Sequence, residues 1–154
     1  MTVVPSARPL LDGTPAGMSE DDAELLAIAR ELLRARYVVG RHEVASAFRL
    51  ADGSVVTGLH VESRSGRASI CAESAAVSAA TIGGSGVRSI VSVLRRPAGT
   101  EHLIEPCGVC AELLIEHATD ARVWLAAGDR YRAVAVTELL PFARLRTGRG
   151  GGAA

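Results

Sequence analysis

Three stretches of the chain have the composition and spacing of helices. The first begins with a serine cap and an acidic first turn, followed by apolar residues that recur every three or four positions. The second is rich in alanine and stops at two glycines, as helices with a glycine cap do. The third returns to helical spacing. We therefore predict helices over residues 19–36, 71–82 and 107–118.

Five further runs are typical of strands. Asp52 and Gly53 join the first two, and Gly128 and Asp129 separate the last two. Turns this short force antiparallel pairs, because a parallel crossover needs about a dozen residues or more. With helices between the other runs, the fold class is α/β: a three-layer sandwich with a five-stranded mixed sheet. The predicted strands lie within residues 42–50, 54–62, 87–94, 122–127 and 131–139.

The length and composition fit a single domain. The chain has 154 residues, 48% of them apolar, which is enough to bury a substantial core. We place the domain at 19–142 and expect flexible ends: an N-terminal segment over 1–18 and a glycine-rich tail over 143–154.

Charge and targeting signals narrow the class of partner. Seventeen basic and 17 acidic residues give a formal net charge of zero, so no global field attracts nucleic acid or acidic membranes. This favours a small-molecule substrate. Residues 1–18 lack the pattern of a secretion signal and no apolar run approaches a membrane span, so we expect a cytoplasmic protein. Three cysteines without a secretion signal also argue against a disulfide framework.

The three cysteines lie where predicted strands give way to predicted helices. Cys107 and Cys110 can share one helix face, whereas Cys71 should cap its helix with Glu73 in the first turn. Three thiolates suit zinc and leave its fourth position to water, which is the pattern of a catalytic site. Such a water is a usable nucleophile near neutral pH. Glu73 then provides a proton acceptor that can later protonate a leaving amine.

These residues resemble a known family. CAE at 71–73 and PCGVC at 106–110 are similar to the motifs of the cytidine deaminases, and the likeness extends over about 24–142, including GLHVE and ELLP. The resemblance implies that Cys71, Cys107 and Cys110 bind Zn²⁺, that Glu73 shuttles the proton, and that the Ala72 N–H holds a ring carbonyl. It also implies a cytidine deaminase-like fold, hydrolytic deamination and a homotetramer. The antiparallel last hairpin looks like the small nucleoside deaminases, which argues against nucleic-acid editing.

The chain departs from the family pattern around the metal motif and near its end. Ser74 stands where deaminases with three cysteine ligands usually carry an arginine, which offsets the negative charge of a zinc trithiolate. Arg67 is a candidate substitute. Arg144 stands where the family has an aromatic residue that reaches a neighbouring subunit's base.

A second group of departures concerns the sugar pocket. The family's usual Phe and Asn align with His42 and His60, while Glu62 is retained. By resemblance these three residues bind substrate. Since imidazoles are larger than Asn and more polar than Phe, we expect cytidine not to be the best substrate.

Several alternatives remain open on the sequence alone. The cysteines are also compatible with buried small apolar residues, and zinc with a structural role if His60 or His102 supplies a fourth ligand. The two histidines are also compatible with purely structural hydrogen bonding. The function that we predict is zinc-dependent release of ammonia from cytidine or a related small amino-heterocycle. The alternatives are a blasticidin S-type or free-base deaminase, for example of guanine, and a zinc-stabilised binding module without turnover.

Overall fold

The computed structural model describes residues 7–143. The predicted three helices are present, and none of the described helices is long and apolar enough to cross a membrane. Of the predicted tail over 143–154, residues 144–154 lie outside the described part, and Arg144 with them. The elements in chain order are α1 (Glu20–Arg36), β1 (Val44–Leu50), β2 (Val55–Leu59), α2 (Ala72–Gly83), β3 (Val87–Arg95), β4 (Glu101–Leu103), α3 (Gly108–His117), β5 (Arg122–Ala127) and β6 (Arg130–Ala135).

The strands form one mixed sheet, which confirms the predicted fold class. The order is β2-β1-β3-β5-β6, with β3 and β5 parallel and the other neighbours antiparallel. The five predicted strands are joined by a sixth, β4, which pairs with the end of β3. Its three residues are too few to show a period of two in the sequence. The last strand is shorter than predicted, because the chain turns into a 3-10 helix at Val136–Glu138.

Two apolar layers cover the two faces of the sheet. Side chains alternate along β1, so Ala45 and Ala47 pack on one face with α1, while Phe48 and Leu50 pack on the other with α2 and α3. Phe48 and both alanines are fully buried. This alternation produces the three-layer sandwich and places α2 and α3 side by side on one face.

Polar contacts hold α1 against the opposite face. Ser19 caps the helix as predicted, accepting a hydrogen bond from the Asp22 N–H. The Asp22 carboxylate accepts hydrogen bonds from the indole N–H of Trp124 at 2.9 Å and from Ser89 at 2.6 Å. The start of α1 is thereby connected to both β5 and β3.

Residues 7–18 also lie against the sheet, whereas residues 1–6 of the predicted flexible segment over 1–18 lie outside the described part. Leu11 is 6% exposed within the core, and its N–H donates to the carbonyl of Glu101 in β4. The carbonyl of Pro9 accepts hydrogen bonds from His102 and Tyr131. Residues 7–18 are therefore connected to the fold by contacts that are remote in sequence.

Candidate metal centre

The N-termini of α2 and α3 meet at the sheet edge and bring the three cysteines together. Cys71 is the N-cap of α2 and Cys107 is the N-cap of α3, with Cys110 in the first turn. The N-cap residues of both helices have extended φ and ψ, so the helical backbone begins only at the residue that follows each of them. The predicted position of Cys71 at a cap, with Glu73 in the first turn, is confirmed.

The cysteine sulfurs have the spacing of a metal site. The metal-ligating atoms of Cys71, Cys107 and Cys110 all lie within 4.8 Å of one another, and the Sγ atoms of Cys71 and Cys107 are 3.9 Å apart. Tetrahedral zinc with Zn–S bonds of about 2.3 Å requires sulfurs about 3.8 Å apart. The thiolates therefore fit zinc. Among residues 7–143 this cluster contains neither His60 nor His102, so the described structure offers no histidine as a fourth ligand.

The surroundings of the three thiols affect their pKa values differently. Burial and repulsion by Cys107 and Glu73 raise the pKa of Cys71, despite a hydrogen bond with Cys110. Burial likewise raises the pKa of Cys110. Burial also opposes ionisation of Cys107, but the Cys110 N–H and neighbouring thiols outweigh it, so the pKa of Cys107 lies below its ordinary value. A metal that binds all three thiolates therefore has to displace protons.

Ser74 occupies the position at which the sequence comparison expected an arginine. Its hydroxyl lies 3.4 Å from the Sγ of Cys110, within hydrogen-bond distance for sulfur. Arg67, the candidate substitute, is exposed in the 3-10 helix Gly66–Ala68 and does not line the pocket beside the cysteines. The described structure therefore gives the serine, and not Arg67, direct contact with a cysteine sulfur.

A hollow of about 320 Å³ opens beside the cysteines. Cys71, Cys107 and Glu73 line it together with Ala72, the first residue of α2, whose N–H has no partner within the helix. Glu73 is only 4% exposed, so its carboxylate is held in a largely water-excluded position. The arrangement offers a metal-binding cluster, a carboxylate and a backbone donor on one small cavity.

Of the three predicted substrate-binding residues, one lines the hollow and the other two hydrogen-bond to it. His60 lines the hollow, whereas His42 and Glu62 are not among its walls. The Nδ1 of His60 accepts from the N–H of Glu43, so its Nε2 carries the proton and donates to Glu62 at 2.9 Å. That bond and one from Ser69 lower the pKa of Glu62. His42 donates from Nδ1 to the carbonyl of His60, also at 2.9 Å.

The hollow also has walls that the sequence reasoning missed. Arg8, Glu43 and Glu105 line it. Glu105 adjoins PCGVC, and this proximity was the one available signal. Glu43 lies directly before β1, with nothing in the sequence to distinguish it. Arg8 was missed because its segment was expected to be flexible. Its guanidinium forms an ion pair with Glu105, 97 positions away.

Comparisons with known proteins agree with this geometry. The family described as "Cytidine and deoxycytidylate deaminase zinc-binding region" matches residues 19–126. A blasticidin-S deaminase of Bacillus cereus is 29% identical over 129 residues, covering 80% of this chain and 92% of the relative. A cytidine deaminase of Halalkalibacterium halodurans is 33% identical over 121 residues, covering 74% and 89%.

A solved structure shows the same fold. The crystal structure of a cytidine deaminase from Mycobacterium tuberculosis has a TM-score of 0.64 and 30% sequence identity to this chain. The match covers 81% of this chain and 98% of the other. The cysteine cluster thus lies on a scaffold shared almost end to end with that protein.

Proposed function

We infer substrate and residue roles from one premise: the chain belongs to the cytidine and deoxycytidylate deaminase family and is a zinc-dependent hydrolase of C–N bonds. We propose that it releases ammonia from cytidine or a related small amino-heterocycle. The observation that carries this proposal is that Cys71, Cys107, Glu73 and Ala72 line a single cavity of about 320 Å³. That volume is at the small end for ligand pockets, which suits one ring with a compact substituent.

Cys71, Cys107 and Cys110 are the proposed zinc ligands. Their sulfurs have the spacing of three corners of a tetrahedron, and no further protein ligand is needed for a catalytic site. When bound, zinc supplies a Lewis acid that makes water nucleophilic near neutral pH. The two helix N-termini favour thiolates at Cys71 and Cys107.

Glu73 is the proposed proton shuttle. Its carboxylate accepts a proton as water adds to the amine-bearing carbon, and it returns a proton to the nitrogen that leaves as ammonia. Burial within the cavity keeps bulk water away from this transfer. The proposed role of the Ala72 N–H is to donate a hydrogen bond to a ring carbonyl, which its position in the lining of the hollow supports.

His60 is the proposed contact to the remainder of the substrate. Its ring is oriented by bonds on both nitrogens, to the Glu43 N–H and to Glu62, and His42 supports it through the backbone. The proposed role of His42 and Glu62 in substrate binding is therefore exerted through His60. By family resemblance we further propose a homotetramer in the cytoplasm.

A second substrate candidate has its own support. The Bacillus cereus relative matches over 92% of its length and is a blasticidin-S deaminase. Blasticidin S therefore belongs in any substrate panel. A free base such as guanine is the smaller alternative.

The test is ammonia release from a panel of cytidine, deoxycytidine, cytosine, guanine and blasticidin S. We expect turnover of at least one of them, and Glu73→Gln should reduce it at least about 100-fold with normal folding and zinc content. The matched control is Glu116→Gln, an exposed position on α3. Absence of ammonia from every compound would favour the non-catalytic binding module, and near-normal activity of Glu73→Gln would place the shuttle elsewhere.

A further inference from the structure

The N-terminal segment carries a guanidinium to the mouth of the proposed active site. Leu11 is inserted in the core, and the Pro9 carbonyl accepts hydrogen bonds from His102 in β4 and Tyr131 in β6. These anchors fix the backbone next to Arg8, whose side chain lines the active-site hollow. The family match begins only at residue 19, so this wall lies outside the matched region.

A second hollow adjoins the first. It has a volume of about 560 Å³ and shares two wall residues with the active-site hollow, Arg8 and Glu105. The ion pair between these two side chains therefore lies where one cavity meets the other. A substrate whose ring occupies the first hollow would extend a longer substituent past this pair.

The two hollows differ in charge. In the active-site hollow the carboxylates of Glu43, Glu73 and Glu105 outnumber the single arginine. In the second hollow the two arginines, Arg8 and Arg96, outnumber the single carboxylate of Glu105. An anionic substituent is therefore repelled by the walls of the first hollow and attracted by those of the second.

The two arginines of the second hollow are available to bind an anionic ligand. The side chains of Arg8 and Glu105 are 40% and 45% exposed, so their ion pair is of the kind that contributes little to stability. Within the described residues, the guanidinium of Arg96 forms no ion pair. Guanidinium groups match the geometry of carboxylate and phosphate oxygens.

We propose that this second hollow is a substrate subsite for an anionic oxygen group, a carboxylate or a phosphate, bound by Arg96 and Arg8. It rests on the proposed deaminase function, since the ring has to occupy the cysteine site. The amino-heterocycle would then carry its anionic substituent past the Arg8–Glu105 pair. Arg8 and Arg96 are specificity-determining residues in this arrangement.

The test measures binding of deaminated ligands, which cannot turn over, to the full zinc-loaded chain by titration calorimetry. Two matched pairs differ in charge: uridine 5′-monophosphate against uridine, and uracil-1-acetate against uracil-1-acetamide. We expect at least one anionic ligand to bind about 10-fold more tightly than its neutral partner. Arg96→Gln should remove this preference and Glu105→Gln should increase it. Arg88→Gln is the control, because Arg88 is exposed at the opposite end of β3.

Each outcome decides the question. A preference for phosphate only, or for carboxylate only, supports the subsite and identifies its ligand. Equal affinities within both pairs, a preference that survives Arg96→Gln, or no binding of either anion overturns the subsite. Ammonia release from the substrate panel is measured in a separate experiment. Turnover with equal affinities leaves the deaminase and removes the subsite, whereas an anion preference without any turnover removes the deaminase and leaves an anion-binding cavity.

Discussion

At the scale of single residues, Ser74 shows how this chain surrounds its thiolates with little positive charge. Its hydroxyl lies 3.4 Å from the Sγ of Cys110, a fully buried sulfur whose pKa is raised by burial. A neutral hydrogen bond stabilises a thiolate less than a guanidinium does. The serine is thus the one described side chain outside the cysteines that hydrogen-bonds a sulfur of the cluster.

Ser74→Ala should weaken zinc binding. Removing a hydrogen bond to a ligand typically lowers metal affinity about 10-fold or more. The measurement is the zinc dissociation constant from competition with a chromophoric chelator, with circular dichroism to verify folding. Ser78→Ala, one turn further along α2 and exposed, is the control. An unchanged dissociation constant for Ser74→Ala would show that the contact has no role in the site.

His60→Asn tests the residue that lines the hollow. The change removes the hydrogen bond to Glu62 and leaves a smaller side chain. We expect kcat/KM for cytidine to rise relative to the preferred substrate, because asparagine is the residue that the resemblance places in the sugar pocket. His117→Asn, exposed at the end of α3, should leave the ratio unchanged. If the unmodified enzyme already prefers cytidine and His60→Asn lowers that preference, the histidine is an ordinary replacement.

At the scale of elements, the position of α2 depends on one glycine in β2. A Cβ at Gly58 would lie 2.0 Å from the carbonyl oxygen of Ala72 and 2.6 Å from the N of Ala76. Both are backbone atoms of α2, so a change of side-chain rotamer could not relieve this clash. The first turn of α2 can approach the sheet this closely only because position 58 has no side chain.

Gly58→Ala should therefore displace the start of α2, which carries Cys71 and Glu73. We expect a loss of stability of about 1–3 kcal/mol, typical of overpacking, together with reduced zinc content. Urea denaturation and elemental analysis measure the two effects. Gly108→Ala is the matched control, because it adjoins Cys107 but has no atom within 4 Å of its Cβ position. Equal stability and zinc content in both variants would contradict the close-approach argument.

At the scale of the whole molecule, Glu101 connects the outer helix to the β3–β4 hairpin. Its side chain is 4% exposed and accepts hydrogen bonds from Arg30, Arg34 and Arg95. Burial by itself would raise the pKa of Glu101, but the hydrogen bonds from Arg34 and Arg30 outweigh it and the pKa lies below its ordinary value. The charged form is thus the one that the fold stabilises.

Glu101→Gln should lower the free energy of unfolding by about 3 kcal/mol, the low end for removing one partner of a buried ion pair, because the arginines stay partly exposed. The direction in which the free energy of unfolding changes with pH follows from the lowered pKa of Glu101. The stabilisation is fully present above the ordinary glutamate pKa and is lost as pH falls through the lower folded value.

We therefore expect urea denaturation between pH 3 and pH 7 to show a difference in the free energy of unfolding between the unmodified protein and Glu101→Gln. This difference should disappear only at acidic pH. Glu24→Gln, which removes an exposed partner of Arg49, should cost at most about 1 kcal/mol. If the difference in the free energy of unfolding stayed the same at acidic pH, Glu101 would stabilise the fold through its packing and not through its charge.

The sequence by itself determined where the helices and strands lie and which residues stand at the helix starts. Apolar periodicity, the Ser19 cap and the glycine stop at Gly84 are local signals, and the structure has helices at all three predicted places. The positions of Cys71 and Cys107 at helix starts follow from the same signals. Periodicity could not reveal β4, whose three residues form a strand only because β3 offers a partner.

Only the tertiary structure decided which distant residues share the cavity. The close approach of Gly58 to Ala72 and the ion pair between Arg8 and Glu105 join residues 14 and 97 positions apart. Local patterns report the period of burial within one element, whereas such contacts depend on how elements stack across the sheet. The metal motif could therefore be predicted from sequence, but the walls of its pocket required the fold.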